Sequence, residues 1–187
     1  STDEPLPASP ATARSASITT VFRRLRPYGG VALLPASEKS VRSRIEENEP
    51  GTLHGARITS AGPHWSVLRR TGALRGAADW THQYADAARS VVSADRRVRL
   101  PLGLLWFGGP SNDDVLPRHG HGPSPQVAGG RLVIEGRHML RAIDIYTGRL
   151  LWQRELPDLG AFYDFTDHRP GAGMIGSNYV TLADSVY

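Results

Sequence analysis

The run Gln126-Val-Ala-Gly-Gly-Arg-Leu-Val-Ile-Glu-Gly-Arg-His-Met-Leu-Arg-Ala-Ile-Asp-Ile-Tyr-Thr-Gly-Arg-Leu-Leu-Trp-Gln-Arg-Glu155 holds four short apolar segments separated by the turn signals Gly-Gly, Gly-Arg-His and Tyr-Thr-Gly. Apolar runs of strand length bounded by such turns predict four antiparallel strands. Four strands in about 30 residues is the size of one propeller blade, spanning 125–156 here. The segments Leu132-Val-Ile134 and Ala142-Ile143 are continuous rather than alternating, the pattern of a sheet covered on both faces. Trp152, in the last segment, offers a large flat surface for that packing. Asp144 with Thr147-Gly148 reads as a strand-ending turn rather than catalytic machinery, the carboxylate accepting from backbone N–H groups and the glycine taking a positive φ.

Toward the N-terminus the pattern changes. Residues 1–17 are rich in Pro, Ser, Ala and Thr, too polar to offset chain entropy by burial, and are expected to be a disordered linker. Ile18, Val21, Phe22 and Leu25 then recur at helical spacing, and Pro27-Tyr-Gly-Gly30 stops the helix. A strand Val31-Ala-Leu-Leu34 follows, and Ser37 caps a second helix over 38–47 with Val41 and Ile45 on one face. Strands at 54–60 and 65–70 are joined by Ser60-Ala-Gly-Pro63 as a hairpin.

The 187 residues carry 22 Lys+Arg against 18 Asp+Glu, a net charge of +4, with 40% hydrophobic and 21% charged residues. This is a globular profile of one to two domains. Without cysteine, disulfides and thiolate zinc sites are excluded. Lys39 is the only lysine; an arginine bias fits coding composition as well as phosphate binding, and Arg23-Arg24 and Arg96-Arg97 read as solvated faces, so no nucleic-acid partner is expected. The weakly polar run 100–109 contains Pro101 and Gly103 and is half a membrane span. The chain opens on Ser1 with no signal segment and closes on Tyr179-Val-Thr-Leu-Ala-Asp-Ser-Val-Tyr187, a strand, a turn and a new strand. It reads as an internal piece of a longer protein.

Two resemblances follow from these residues. Leu25-Arg-Pro-Tyr-Gly-Gly-Val-Ala-Leu-Leu34 resembles the turn before the fifth strand of class I S-adenosylmethionine-dependent methyltransferases, with Tyr28 inserted. It implies that 18–75 is the C-terminal end of a Rossmann-like α/β domain. The Gly-rich first turn and the acidic ribose-binding residue belong to the earlier half of such a domain. Gly29-Gly30 ends a helix and precedes a strand, so it supplies no anion-binding helix N-terminus. The chain alone is therefore expected neither to bind S-adenosylmethionine nor to transfer a methyl group.

The second resemblance covers 77–187. Val127-x-Gly-Gly-Arg-Leu-Val, Leu140-Arg-Ala-Ile-Asp144, Thr147-Gly148 and Leu151-Trp152 look like the repeat of pyrroloquinoline-quinone (PQQ) type β-propellers, which include quinoprotein dehydrogenases and BamB-type assembly factors. Asp79-Trp80, Asp86-Ala-Ala-Arg89 and Leu104-Leu-Trp106 resemble the opening strand and closing Trp of a preceding blade, and a third begins near Ser177. The combination Asp79-Trp-Thr-His-Gln-Tyr-Ala-Asp86 with Leu104-Leu-Trp-Phe-Gly-Gly-Pro-Ser111 is similar to multidomain proteins of planctomycete-type bacteria that couple a methyltransferase-like domain to such a propeller, with the join near Gly76. The expected class is thus an α+β chain, the end of a Rossmann-like domain followed by antiparallel propeller blades, located in the periplasm or cell envelope. Its partners are the rest of its own propeller and a small-molecule or protein ligand at the mouth. No cofactor is expected on this chain alone; PQQ with calcium belongs to the quinoprotein alternative, no cofactor to the BamB-type scaffold, and methyl transfer to a third.

The long loops 107–124 and 157–177 open on one face with the turn bearing His138, and long loops in compact domains commonly carry function. They hold Asp113, Asp114, Arg118, His119, His121, Asp164, Asp167 and His168. His119-Gly-His121 has the residue types of a metal pair, but without a defined third ligand loop-ordering hydrogen bonds are the expected role, and no metal is expected. Asp113-Asp114 offers calcium or quinone-site carboxylates, yet Ser111-Asn-Asp-Asp114 is also ordinary turn chemistry.

Overall fold

The computed structural model describes residues 17–48, 53–109, 111, 115, 123–159 and 179–187. They form an α+β protein of two helices and two antiparallel sheets, in two compact units divided between Thr71 and Gly72. The expected linker, save Ser17, lies outside the described residues.

In the first unit, helix α1 (Ile18–Arg24) is capped by Ser17, whose Oγ accepts the Thr20 N–H at 3.1 Å. Its C-terminus is closed from a distance. The Arg70 guanidinium donates to the Phe22, Arg23 and Leu25 carbonyls at 3.4, 3.4 and 3.1 Å and lies 4.9 Å from the Phe22 ring centroid. A cation over the last carbonyls suits the helix dipole, and the ring face adds a second attraction. The chain then reverses with Tyr28 at φ 57° and Gly29 at φ 120°. A Cβ on Gly30 would fall 2.5 Å from the Arg26 backbone N and O, so only glycine fits there.

Strand β1 (Val31–Leu34), helix α2 (Glu38–Asn48), β2 (Ala56–Ser60) and β3 (Ser66–Arg70) follow, as the periodicity predicts. The sheet order is β1-β3-β2, with β3 antiparallel to both neighbours. Strands β1 and β2 are therefore parallel to each other and joined through α2. Phe22, Val41, Ile58 and Leu68 form the core between the helices and one sheet face. On the other face Val31 and Leu33 remain 47% and 58% exposed, beside exposed Arg57 and Arg69.

The second unit is organised by the predicted four-stranded meander: β4 (Gln126–Ala128), β5 (Arg131–Gly136), β6 (Met139–Asp144) and β7 (Leu150–Glu155), in that order and all antiparallel. Strands β5 and β6 bury residues of both parities, as their continuous apolar runs require, while β7 is a largely exposed edge. Residues 179–187 form a small hairpin, with Val180 and Tyr187 exchanging N–H···O bonds at 2.8 and 3.0 Å. That hairpin covers one face of the meander: Tyr179 and Val186 join Val133, Ala142, Leu140 and Trp152 in one apolar cluster.

One expectation is corrected. Asp86-Ala-Ala-Arg89 is not part of an opening strand, and no regular strand forms among the described residues between 72 and 125. Ala85, Arg89 and Val91 all have positive φ, a conformation that interrupts a regular extended strand. The Asp86 carboxylate satisfies the Ser90 N–H and Oγ locally, giving the backbone an alternative to a ladder. Trp80 alone joins the sheet, exchanging backbone bonds with Val127 at 2.7 and 2.8 Å on the free side of β4. Among the described residues no helix is long and apolar enough to cross a membrane.

Candidate functional site

The meander presents two ends, each built by turns. At the end carrying the β6–β7 connection, Asp144 is buried. Its Oδ1 accepts the Tyr146 N–H at 2.9 Å and its carbonyl accepts the Gly148 N–H at 2.8 Å. Gly148 takes φ 69°, and the Thr147 Oγ1 accepts the Arg149 N–H at 3.4 Å. These residues hold a turn, as their sequence reading expects. The Trp106 indole seats on this turn: its Nε1–H donates to the Ile145 carbonyl at 2.8 Å, and its ring carbons would lie 2.5–2.9 Å from a Cβ on Gly148. Glycine at this position thus serves two demands, a left-handed backbone and room for an indole.

At the opposite end sits His138, with φ 57° in the β5–β6 turn. Its backbone N–H donates to the Leu159 carbonyl and its own carbonyl accepts the Leu156 N–H, each at 2.8 Å. The Nδ1 meets the Pro157 carbonyl, and Arg137 Nε donates to Nε2 at 3.1 Å. An Nδ1–H tautomer satisfies both ring nitrogens, so His138 fastens the chain leaving β7 to the turn and has no lone pair directed at a ligand. The sequence placed His138 beside the 157–177 loop, and the bonds to 156–159 bring that turn and the start of the loop together.

Asp113, Asp114, Arg118, His119, His121, Asp164, Asp167 and His168 lie outside the described residues. Among the described residues there is no group of three or more His, Asp or Glu arranged to hold a metal ion. Trp152 is half-buried against Ala142, its ladder partner, and the cluster around Val133. That is a packing role.

Two structural residues were not singled out from sequence. Gln126 is fully buried; its Nε2 donates to the Tyr179 carbonyl at 2.6 Å and its Oε1 accepts the Thr181 N–H at 2.9 Å, so a single amide copies a ladder pair to the following hairpin. Asp95 accepts from the Val98 and Arg97 N–H groups at 2.9 and 2.6 Å and from Ala78 at 3.3 Å. These bonds hold its carboxyl below the usual range, and the Ser90 hydroxyl and amide do the same for Asp86. Such side-chain capping is invisible to periodicity, though Ser-x-Asp and Asp-x-x-x-Ser are ordinary turn spacings. In the first unit, a cleft of about 350 Å³ lies between α2 and β2, lined by Arg42, Glu46, His54 and apolar neighbours. Arg42 is committed to Glu38 at 2.8 Å and to the Ile58 carbonyl at 3.0 Å.

Comparison with known proteins finds no family model, curated protein or solved structure that matches this chain.

Proposed function

We propose that residues 72–187 are a repeat segment of a PQQ-type β-propeller that acts as a non-catalytic binding scaffold, and that residues 18–71 are the closing edge of a methyltransferase-like α/β sheet. The observation that carries the reading is the Trp106 lock on Ile145 and Gly148. It ties a Leu-Leu-Trp segment to the Thr-Gly turn of the meander that follows, which is the repeat-to-repeat packing an array of blades needs. The hairpin 179–187, fastened by Gln126, adds a further segment on the C-terminal side. Within the first unit, a parallel strand pair joined by a helix, with a returning strand inserted antiparallel, suits the edge of a doubly wound sheet.

The scaffold role is supported over a quinoprotein oxidoreductase by His138, the one ligand candidate among the described residues, whose ring nitrogens are taken up by the Pro157 carbonyl and Arg137. The deciding test is to mix the full-length protein that carries this repeat segment with PQQ and Ca²⁺ and pass it through gel filtration. A scaffold elutes without quinone absorbance. Stoichiometric retention that weakens on Asp113→Asn and Asp114→Asn would instead support the oxidoreductase. Titration calorimetry with S-adenosylmethionine is expected to show no complex; micromolar, stoichiometric binding would overturn the reading of 18–71.

A further inference from the structure

We propose that residues 91–103 are an interfacial loop that docks the second unit on the surface of an anionic lipid bilayer. The segment lies between the runs that carry the propeller resemblance, one ending at Arg89 and the next beginning at Leu104, and the proposal does not depend on the repeat reading. Its sequence is Val91-Val-Ser-Ala-Asp-Arg-Arg-Val-Arg-Leu-Pro-Leu-Gly103. Val91, Val92, Val98, Leu100 and Leu102 are 64–85% exposed. Arg96, Arg97 and Arg99 are exposed among them, and no acidic residue follows before Asp113. A contiguous apolar run left in water marks an interaction surface, and here it is also a positively charged one.

The loop is held at both feet. The Val91 N–H donates to the Tyr84 carbonyl at 3.2 Å and the Arg96 N–H to the Gly76 carbonyl at 2.8 Å. The Asp95 carboxylate gathers the Ala78, Arg97 and Val98 N–H groups, and Trp106 fixes the far side through Ile145. An ordered loop loses less conformational entropy on docking. Apolar side chains interspersed with arginine combine the two signals of interfacial attachment, burial at the headgroup boundary and attraction to anionic headgroups. Guanidinium forks onto phosphate oxygens in a way ammonium does not. A protein partner would be read through side-chain hydrogen bonds as well as apolar contact, whereas from 98 to 103 the only polar side chain is Arg99. Depth is limited by the backbone, because residues 99–103 make no hydrogen bond among the described residues. Bare N–H and C=O groups cannot enter hydrocarbon, so the backbone lies at the headgroups and only the apolar side chains reach below them.

The test is co-sedimentation of the full-length protein that carries this segment with vesicles of equal parts phosphatidylcholine and phosphatidylglycerol, and with vesicles of phosphatidylcholine alone. Binding is expected to the anionic vesicles only and weakens at high salt. Arg96→Gln, Arg97→Gln and Arg99→Gln together should lower the partition about a hundredfold, at about fivefold for each arginine. Leu100→Ser with Leu102→Ser should lower it about tenfold or more at unchanged charge. Lys39→Gln, Arg57→Gln and Arg69→Gln remove the same charge from exposed positions of the first unit and should leave it within about twofold. All of these replace exposed side chains, so amide exchange in β5 and β6 stays as in the parent protein and separates lost docking from lost folding. No binding to anionic vesicles, equal binding to phosphatidylcholine, or binding that survives either loop variant overturns the proposal, as does an equal loss in the first-unit variant. Amides of 99–103 already protected in the vesicle-free protein overturn it as well, because a protein surface then covers the loop. None of these outcomes bears on the repeat reading, which depends on the Trp106 seat at Gly148.

Discussion

Replacing Gly148 by alanine is expected to destabilise the second unit for two separable reasons. Its φ of 69° is left-handed, and placing a side chain there costs about 1 kcal/mol. The new Cβ would also lie 2.5, 2.8 and 2.9 Å from Trp106 Cε3, Cζ3 and Cδ2, so the indole must leave its seat. Undocking Trp106 forfeits the 2.8 Å bond to Ile145, about 1 kcal/mol. It also loses the packing of a half-buried ring, about half of the roughly 3–5 kcal/mol of a fully buried Trp. Trp106→Ala alone should therefore cost about 3 kcal/mol and Gly148→Ala about 4 kcal/mol. The pair share the docked indole, so the double variant should fall about 3 kcal/mol short of the sum. Denaturant melts of the four proteins, followed by far-ultraviolet circular dichroism and amide exchange in 142–150, measure this. Additivity within about 0.5 kcal/mol would show that the indole does not depend on that glycine and would remove the basis of the repeat reading.

Trp152→Ala should cost about 2–3 kcal/mol, less than a fully enclosed Trp because the residue is half-buried, and exposed Asp158→Ala should cost less than about 0.5 kcal/mol; equal losses in denaturant melts would contradict the packing role. Gln126→Leu strands the Tyr179 carbonyl and Thr181 N–H without their amide partner, an expected loss of about 2–3 kcal/mol, with amide exchange at 180–187 accelerated before that of β5 and β6. The Asp95 carboxyl is held low by the Val98, Arg97 and Ala78 N–H groups. Its contribution is thus present above the unfolded value of about 3.9 and is lost as pH falls through the lower folded value. A proton titration of the Arg97 and Val98 amides should show a midpoint below the ordinary Asp range that disappears in Asp95→Asn; a midpoint at or above that range would refute the cap.

Local chemistry was legible wherever neighbours in sequence decide the outcome. The order of helix, strand, helix and hairpin in 18–71 follows from apolar spacing, the Ser37 cap and the Gly-rich stop, whereas Ser17, read as the end of the linker, proves to cap the first helix. Four strands in 126–155 follow from turns at every six to ten residues. The same turn logic worked against a strand at Asp86, whose carboxylate binds its own neighbours, and there the resemblance to a blade's opening strand outweighed an Asp-x-x-x-Ser spacing that was already in the sequence. What the chain order could not decide is which distant groups meet. Arg70 closes a helix 45 residues upstream, at Leu25. Trp106 finds a carbonyl 39 residues on, and Gln126 reaches 53–55 residues to the last hairpin. Each of these bonds depends on side-chain reach, direction and the space left by a glycine, and those quantities exist only once sheets have formed. Sequence determined that Leu-Leu-Trp occurs twice; only the tertiary structure decided that one copy lies in a ladder while the other, held by its indole, leaves its leucines in water.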